Sequence, residues 1–318
     1  MLKPRDLALL NDFLVVCEQG NLTRAADTLN TVQSGVTQRI KRLESAIGCE
    51  LFVRHSRGVG LTERGELLAK YARKIQALVD DANAEISAWE GSPIGNISIG
   101  LPPSVATVLT APLIDAIHAA LPRVELTIAE AFSGYLFNWL ETGEIDFGFV
   151  FNPARSAGIE IMPLAEESLY LITTANNRSN LPEEASIFDL EGLPLIAPSR
   201  RHKLRTDLEN MARNNGVTLN VCLEVDAGHQ LIRQILKGKG SAVLAQSSVT
   251  PELQEGLLIA VPMANPHYTR EVCLVERLDR RHSLIQTQVR AVIKEVTKSL
   301  ISSGEWPGAT LKSEADSG

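Results

Sequence analysis

Three patterns of apolar and polar positions divide this chain. In the first sixty residues, short helical stripes are separated by turn residues. Asp6 is placed to cap a helix whose apolar face is Leu7, Leu10, Phe13, Leu14 and Cys17, with Gly20 as its terminator. Thr23 is placed to cap a second helix, in which Ala25, Ala26 and Leu29 face inward and small alanines permit close helix approach. A third helix is expected from about residue 32 to 47, ending at Gly48. It carries two stripes. Val36, Ile40, Leu43 and Ile47 form a core face, and Ser34, Thr37, Gln38 and Lys41 form a polar one. Two short strand-like runs follow, 51–54 and 59–61, around a basic turn His55-Ser56-Arg57-Gly58. Thr62 is then placed to cap the next helix.

The second pattern is one uninterrupted helix over residues 62–89. Leu68, Tyr71, Ile75, Leu78, Ala82, Ile86 and Trp89 recur at alternating spacings of three and four, a coiled-coil-like seam. Gly91-Ser92-Pro93 breaks it and is read as a hinge. The third pattern, from residue 94, alternates strand-like and helix-like runs. Strands are expected at 96–101, 124–130, 145–151, 168–174, 194–197, 219–225, 241–245 and 272–276. Helices are expected near 104–120, 133–142, 204–214, 229–236 and 283–302. Such alternation predicts an α/β sandwich with largely parallel strands. Residues 303–318 read as a frayed tail.

Composition is that of an ordinary globular chain: 318 residues, 44% hydrophobic and 22% charged. The net charge of −7 is unevenly spread. Residues 1–65 hold nine Lys/Arg against seven Asp/Glu, and the stretch from Thr37 to Gly65 holds six against three. A local basic patch attracts phosphates whatever the total charge. No secretory signal is apparent, and the charge-free stretch 91–114 is interrupted by Pro93, Pro102, Pro103 and Pro112, so a cytoplasmic chain without a membrane span is expected. Cys17, Cys49, Cys222 and Cys273 lie far apart without metal-ligand spacing. Cys222 and Cys273 sit in apolar runs and read as buried, inert thiols rather than a redox pair. The six histidines are scattered, and GxSxG, HExxH and P-loop patterns are absent, so neither an enzyme nor a resident metal or cofactor is expected.

The polar stripe of the third helix is chemically suited to base edges. Gln33 and Ser34 stand in its first turn, Thr37, Gln38 and Lys41 continue the face, and Gln can pair with adenine in a bidentate way. Arg39, Lys41 and Arg42 suit phosphates. Periodicity alone favours a plain solvated polar face. Wider patterns bear on the choice. AADTLN followed by QSGVTQRIKRLESAIGCELFVRHSRGVGLTERGE resembles the N-terminal signature of LysR-type transcriptional regulators over some sixty residues. Thr37 in place of the commoner Ser, Gly35 where Ala or Pro is usual, and Cys49 are departures. SIGLPPSVATVL, PRVELTIAEAFSGYLFNWLETGEIDFGFVF, GLPLIAPSRRHKLR and LKGKGSAVLAQSSV resemble the same family's effector domain, with Ala245 where Pro is common.

The resemblance implies a winged helix-turn-helix DNA-binding domain (1–61), a linker and dimerisation helix (62–91), and an effector domain (92–302). The last is similar to periplasmic binding proteins, with two α/β lobes at about 94–165 plus 273–302 and 166–272. It implies DNA contacts from Thr23, Gln33, Ser34, Thr37, Gln38, Lys41, Arg42, Arg54 and, on the wing, Arg57, whose side chain suits a minor groove. It also implies dimers through the linker helix, tetramers, contact with RNA polymerase, and a non-covalent small-molecule effector that alters DNA bending. Ligands of open α/β sheets sit beyond strand C-termini, near helix N-termini. Four places fit: Pro103 and Ser104, Ser133 and Gly134, Phe151 and Asn152, and Ser199 to His202 with Arg205. Gln246 is a fifth candidate, after the strand ending at Ala245. Each serine could equally be a plain N-cap. Together they suit a polar or anionic effector. An effector-independent DNA-bending protein, or a solute-binding protein or enzyme on the same scaffold, stands as the alternative.

Overall fold

The computed structural model describes residues 3, 6–55, 58–88, 93–264, 267–280 and 283–312. Arg57, Trp89 and the Gly91-Ser92 part of the hinge lie outside the described residues. The chain forms two compact units, one within residues 1–90 and the other built from residue 91 onward.

In the first unit, α1 (Ala8–Gln19) closes at Gly20, whose φ of 56° is left-handed and whose N–H reaches Val16 O. The N-cap is Leu7, without a side-chain bond, so Asp6 is not the cap; its carboxylate accepts from Lys3 N–H instead. α2 (Leu22–Thr28) starts two residues earlier than expected. Its cap is Asn21, whose extended backbone lets Oδ1 accept from Thr23 N–H (2.8 Å) and Arg24 N–H (3.3 Å), so the expected cap Thr23 is a receiving residue. α3 (Gln33–Ile47) ends at left-handed Gly48 and buries Val36, Ile40 and Leu43 against Phe13, Leu14 and Ala25. β1 (Phe52–His55) and β2 (Gly58–Leu61) pair antiparallel as the wing, with Phe52 opposite Leu61. β2 is anchored by Val59 N–H to Gly20 O (2.9 Å).

α4 (Glu63–Ala88) is capped as expected by Thr62 Oγ1, which accepts from Gly65 N–H at 3.0 Å. At Gly65 a Cβ would stand 2.1 Å from Leu51 O, so only glycine fits. The expected seam is split. Leu68 and Ile75 turn in toward the winged-helix core, while Leu67, Tyr71, Leu78, Val79 and Ile86 are half or more exposed.

The second unit begins as expected, with β3 (Gly95–Leu101), α5 (Pro103–Ala120), β4 (Val124–Glu130), α6 (Ser133–Thr142) and β5 (Phe147–Phe151), the strands parallel. β5 is buried along its first four residues, as a continuous apolar run requires when both faces are covered. β6 (Ile159–Thr174) is twice the expected length. β7 (Pro194–Ala197) pairs parallel with β8 (Asn220–Glu224), and α7 (Lys203–Asn214) lies between them in sequence. α8 (Gly228–Leu236), β9 (Ala242–Ala245), α9 (Thr250–Gln254), β10 (Leu258–Pro262), β11 (Thr269–Arg277), α10 (Leu284–Ser303) and β12 (Ala309–Leu311) complete it.

The large sheet runs β10-β6-β11-β5-β3-β4, with β9 and β12 also on β6. β6 and β11 are antiparallel crossover strands, with a register shift between Val272 and Cys273. The expectation of largely parallel strands therefore holds only within each half, because every strand meeting β6 runs against it. Separate apolar clusters fill the halves, one around Leu136, Leu140 and Val275, another around Leu171, Leu195 and Leu208. Among the described residues only α5 is long and apolar enough to span a membrane. Its Val105, Leu109, Leu113 and Ile117 are buried in the core.

The C-terminus departs from expectation. Residues 304–312 are ordered: Trp306 is 1% exposed, β12 pairs with β6, and Lys312 bonds Glu271 at 2.6 Å. A bulky indole buried beside an open strand edge secures a segment that composition alone reads as a tail. Residues 313–318 lie outside the described residues. Cys222 also departs: β8 is largely exposed and Cys222 with it, its thiol donating to Leu195 O at 3.4 Å. Cys273 is fully buried, and desolvation, then the nearby Glu271 carboxylate, pushes its thiol far up.

Candidate nucleic-acid interface and effector cavity

On α3 the two stripes separate as the periodicity requires. Gln33, Ser34, Gln38, Lys41 and Arg42 are exposed, and Thr37 is half-buried, its hydroxyl donating to Gln33 O at 2.9 Å. Val32 is the N-cap, so Gln33 and Ser34 occupy the first turn with no capping side chain between them and solvent. Arg39, which suited phosphate on sequence grounds, is instead committed to Asp12 at 3.2 Å. Burial raises the Asp12 carboxyl and Arg39 opposes that rise. Arg42 lies 3.9 Å from Asp6 and stays largely exposed. Thr23 and Arg54 are exposed, on α2 and the wing strand β1. Largely exposed and hydrogen-bonding, this surface is suited to a groove; nothing in the structure explains Gly35, whose added Cβ would meet only ordinary contacts.

The second unit holds a cavity of about 950 Å³, at the upper end of the range for small-molecule sites. Pro103, Ser104, Ser133, Gly134, Phe151, Asn152 and His202 all line it. Four helix N-termini converge there: Pro103 and Ser104 of α5, Ser133 and Gly134 of α6, His202 and Lys203 of α7, and Gly228 and His229 of α8. Each presents N–H groups unsatisfied within its helix and the positive end of its dipole. Ser104 is not a cap, since Pro102 holds that place; its hydroxyl accepts from Arg270 Nη2 at 2.8 Å. Asn152 adopts a positive φ of 44°, and its Oδ1 accepts from Glu271 N–H at 2.7 Å. The His202 ring lies against Phe132 with centroids 3.9 Å apart, and its Nε2 is 3.1 Å from Asp226.

Three expected residues do not line the cavity. Ser199 binds Asp226 through both its N–H and its hydroxyl. Those bonds, with His202 beside it, hold the Asp226 carboxyl low. Arg205 is 4% exposed and saturated by Glu209, Glu224 and Pro198 O, a structural ion cluster behind α7. Gln246 opens a 3-10 turn in which Ser248 faces the cavity and Ser247 turns inward to Glu167. Side-chain direction in that turn is decided by packing, which strand-end reasoning does not see.

The residues that sequence reasoning missed come from the crossover strands. Arg270, on β11, lines the cavity, stacks over the Phe151 ring and pairs with the fully buried Glu167 of β6. A signal existed: charged residues inside apolar strand runs, TREVCLVER and LAEESLYL, imply buried charges that must find partners. Tyr268 also lines the wall; burial pushes its phenol up, and its hydroxyl donates to Leu204 O. Among the described residues no cluster of three or more His, Cys, Asp or Glu could hold a metal ion.

Comparison with known proteins agrees with the division into two units. The LysR substrate binding domain family matches residues 90–299, and the bacterial regulatory helix-turn-helix protein, lysR family, matches residues 7–66. The HTH-type transcriptional regulator BbuR of Bordetella bronchiseptica is 28% identical over 309 residues, covering 96% of this chain and 94% of that protein. In fold, the chain is similar to a full-length OxyR variant from Pseudomonas aeruginosa, with TM-score 0.74, 20% identity, and 96% and 98% of the two chains covered. It is likewise similar to full-length CbnR complexed with its target DNA, with TM-score 0.66, 19% identity, and 91% and 99% covered. These families and relatives are transcriptional regulators, not enzymes. The chain belongs to the LysR family of transcriptional regulators, with a helix-turn-helix DNA-binding unit and an α/β effector-binding domain.

Proposed function

We propose that α3 reads DNA in the major groove through Gln33, Ser34, Thr37, Gln38 and Lys41. Arg42, Arg54 and Thr23 contact the backbone, and Arg57 serves the minor groove. The supporting observation is the exposed, uncapped first turn beside a hydrogen-bonding stripe. Two such units pair through α4, whose Leu67, Tyr71, Leu78, Val79 and Ile86 are left uncovered in the single chain. Pairs associate further into tetramers on an interrupted palindrome of the T-N11-A kind, in the cytoplasm and in contact with RNA polymerase. No resident cofactor is needed.

The effector is a small polar or anionic molecule in the 950 Å³ cavity, and the convergence of four helix N-termini is the observation that carries this assignment. A ligand shifts the protein only by its differential affinity for two conformations, so the effector favours one arrangement of the lobes and thereby alters DNA bending. The competing reading, bending without an effector, has to leave that cavity unused. Selecting duplexes from a random pool with the full-length chain tests the DNA assignment: an interrupted palindrome is expected, and recovery of no preferred sequence contradicts it. Thermal midpoints of the same chain with a panel of organic acids test the effector. An upward shift is expected for at least one acid, and uniform indifference contradicts it.

A further inference from the structure

Arg270 is placed as no ordinary structural arginine would be. It is 8% exposed, yet it borders the cavity. Its Nε donates to Glu167 Oε2 at 2.8 Å, its Nη2 lies 2.6 Å from the same oxygen, and Nη2 also donates to Ser104 Oγ. The guanidinium face sits 3.5 Å over the centroid of Phe151. Nη1 is left with no partner among the described residues. Its N–H groups are therefore available to an acceptor in the cavity that Arg270 lines.

The surroundings favour an anion there, although Glu167 already answers Arg270. Glu167 spreads its charge over more donors than Arg270 supplies, because Ser247 Oγ (2.6 Å) and Trp306 Nε1 (3.0 Å) both donate to its Oε1. Of the remaining charged side chains on the wall, Lys203 answers Asp207 at 3.2 Å, while Arg155 and Arg201 have no ion pair among the described residues and face only Glu130 in charge balance. Four helix N-termini add positive potential of the same sign. Apolar side chains, including Val150, Leu169, Ile232 and Leu244, cover much of the remaining wall, interspersed with Thr107, Asn138 and Ser248.

We infer that Arg270 anchors the effector by donating through Nη1 to an oxyanion, and that the effector is an amphipathic monoanion: one carboxylate-like group on an apolar body. The inference rests on the effector reading above and names the ligand class and its anchoring residue. Because Glu167 is shared between Arg270 and the Trp306 indole, occupancy of the cavity is felt at the C-terminal segment, and Trp306 reports it. Arg rather than Lys is required, since the planar fork holds Glu167 with one edge while leaving Nη1 for the ligand.

The test uses the full-length chain carrying Trp89→Phe and Trp139→Phe, which leaves Trp306 as its one tryptophan. Phenylacetate and hexanoate are titrated against phenylacetamide and hexanamide, reading Trp306 emission and the thermal midpoint. The carboxylates are expected to bind at least about tenfold more tightly than their amides, the worth of one charge-assisted hydrogen bond. Arg270→Lys, which keeps a cation for Glu167, is expected to bring that ratio close to one while DNA binding persists. If Arg270→Lys still binds DNA and keeps the full preference, Arg270 is not the anchor. Should that variant fail to fold, Phe151→Leu decides: it unseats the guanidinium face, so the ratio falls, and an unchanged ratio overturns the inference. If none of the four compounds alters emission or midpoint in the parent chain, the anionic-effector reading itself fails, and this inference with it.

Discussion

The polar face of α3 and the cavity of the second unit are assembled in opposite ways. The α3 face comes from one stretch of one helix, between Gln33 and Lys41, and is largely exposed. The cavity draws on four helix starts, three strand ends and two crossover strands, spread from Pro102 to Arg270. A surface carried by one helix needs only that helix to be held on its core. A concave one depends on how many distant segments are held in register, and here a buried ionic cluster does the holding. The contrast predicts that damage to the two surfaces is separable.

The largest effect is expected at that cluster. Glu167→Gln leaves Arg270 buried without its counter-charge and weakens the bonds from Ser247 and Trp306. A loss of about 3–5 kcal/mol is expected, read as a lowered thermal midpoint of the second unit. The N-terminal unit, followed by hydrogen exchange of α1 and α3, should keep its protection. Equal loss in both units breaks the comparison. The mirror-image variant is Gly65→Ala, whose Cβ meets Leu51 O at 2.1 Å between wing and α4. It should cost about 1–3 kcal/mol in the N-terminal unit and lower DNA affinity while leaving small-molecule binding intact. A smaller effect of opposite sign sharpens the point. Gly35→Ala places a methyl group with its nearest neighbours at 3.4 and 3.8 Å, and should stabilise α3 by about 1 kcal/mol in chemical denaturation. A destabilised variant would show that the helix interior is constrained by something other than propensity.

The same contrast explains what was legible in the sequence. β4 (124–130), α6 (133–142) and β7 (194–197) fall where their patterns predict, because each is a local run bounded by Gly, Pro or polar residues. The first half of β6 was hidden by Glu160, Pro163, Glu166 and Glu167, which break apolar alternation yet are tolerated in a strand that crosses between halves. The cap of α2 falls at Asn21, two residues before the expected Thr23, since cap identity depends on backbone geometry at the first turn. Trp306 sits among Gly304, Pro307 and Gly308, so its burial is a tertiary fact without periodic trace. Strand-end reasoning found seven cavity residues because helix starts cluster there by topology. It missed Arg270 because that side chain reaches the cavity from the flank of a crossover strand, and it wrongly included Arg205, whose charge is spent on Glu209 and Glu224.

What separates a DNA-reading α3 from a merely solvated one is whether its side chains discriminate between bases. The direct measurement is the affinity of wild-type, Gln33→Ala and Arg42→Ala chains for the selected duplex and for each single-base-pair change in it, at several salt concentrations. Gln33→Ala is expected to erase discrimination at one position, worth about 1–3 kcal/mol, and leave the others. Arg42→Ala is expected to weaken every duplex alike and to reduce the salt slope by about one. If both variants discriminate and respond to salt as wild type does, α3 does not face DNA and the account is wrong.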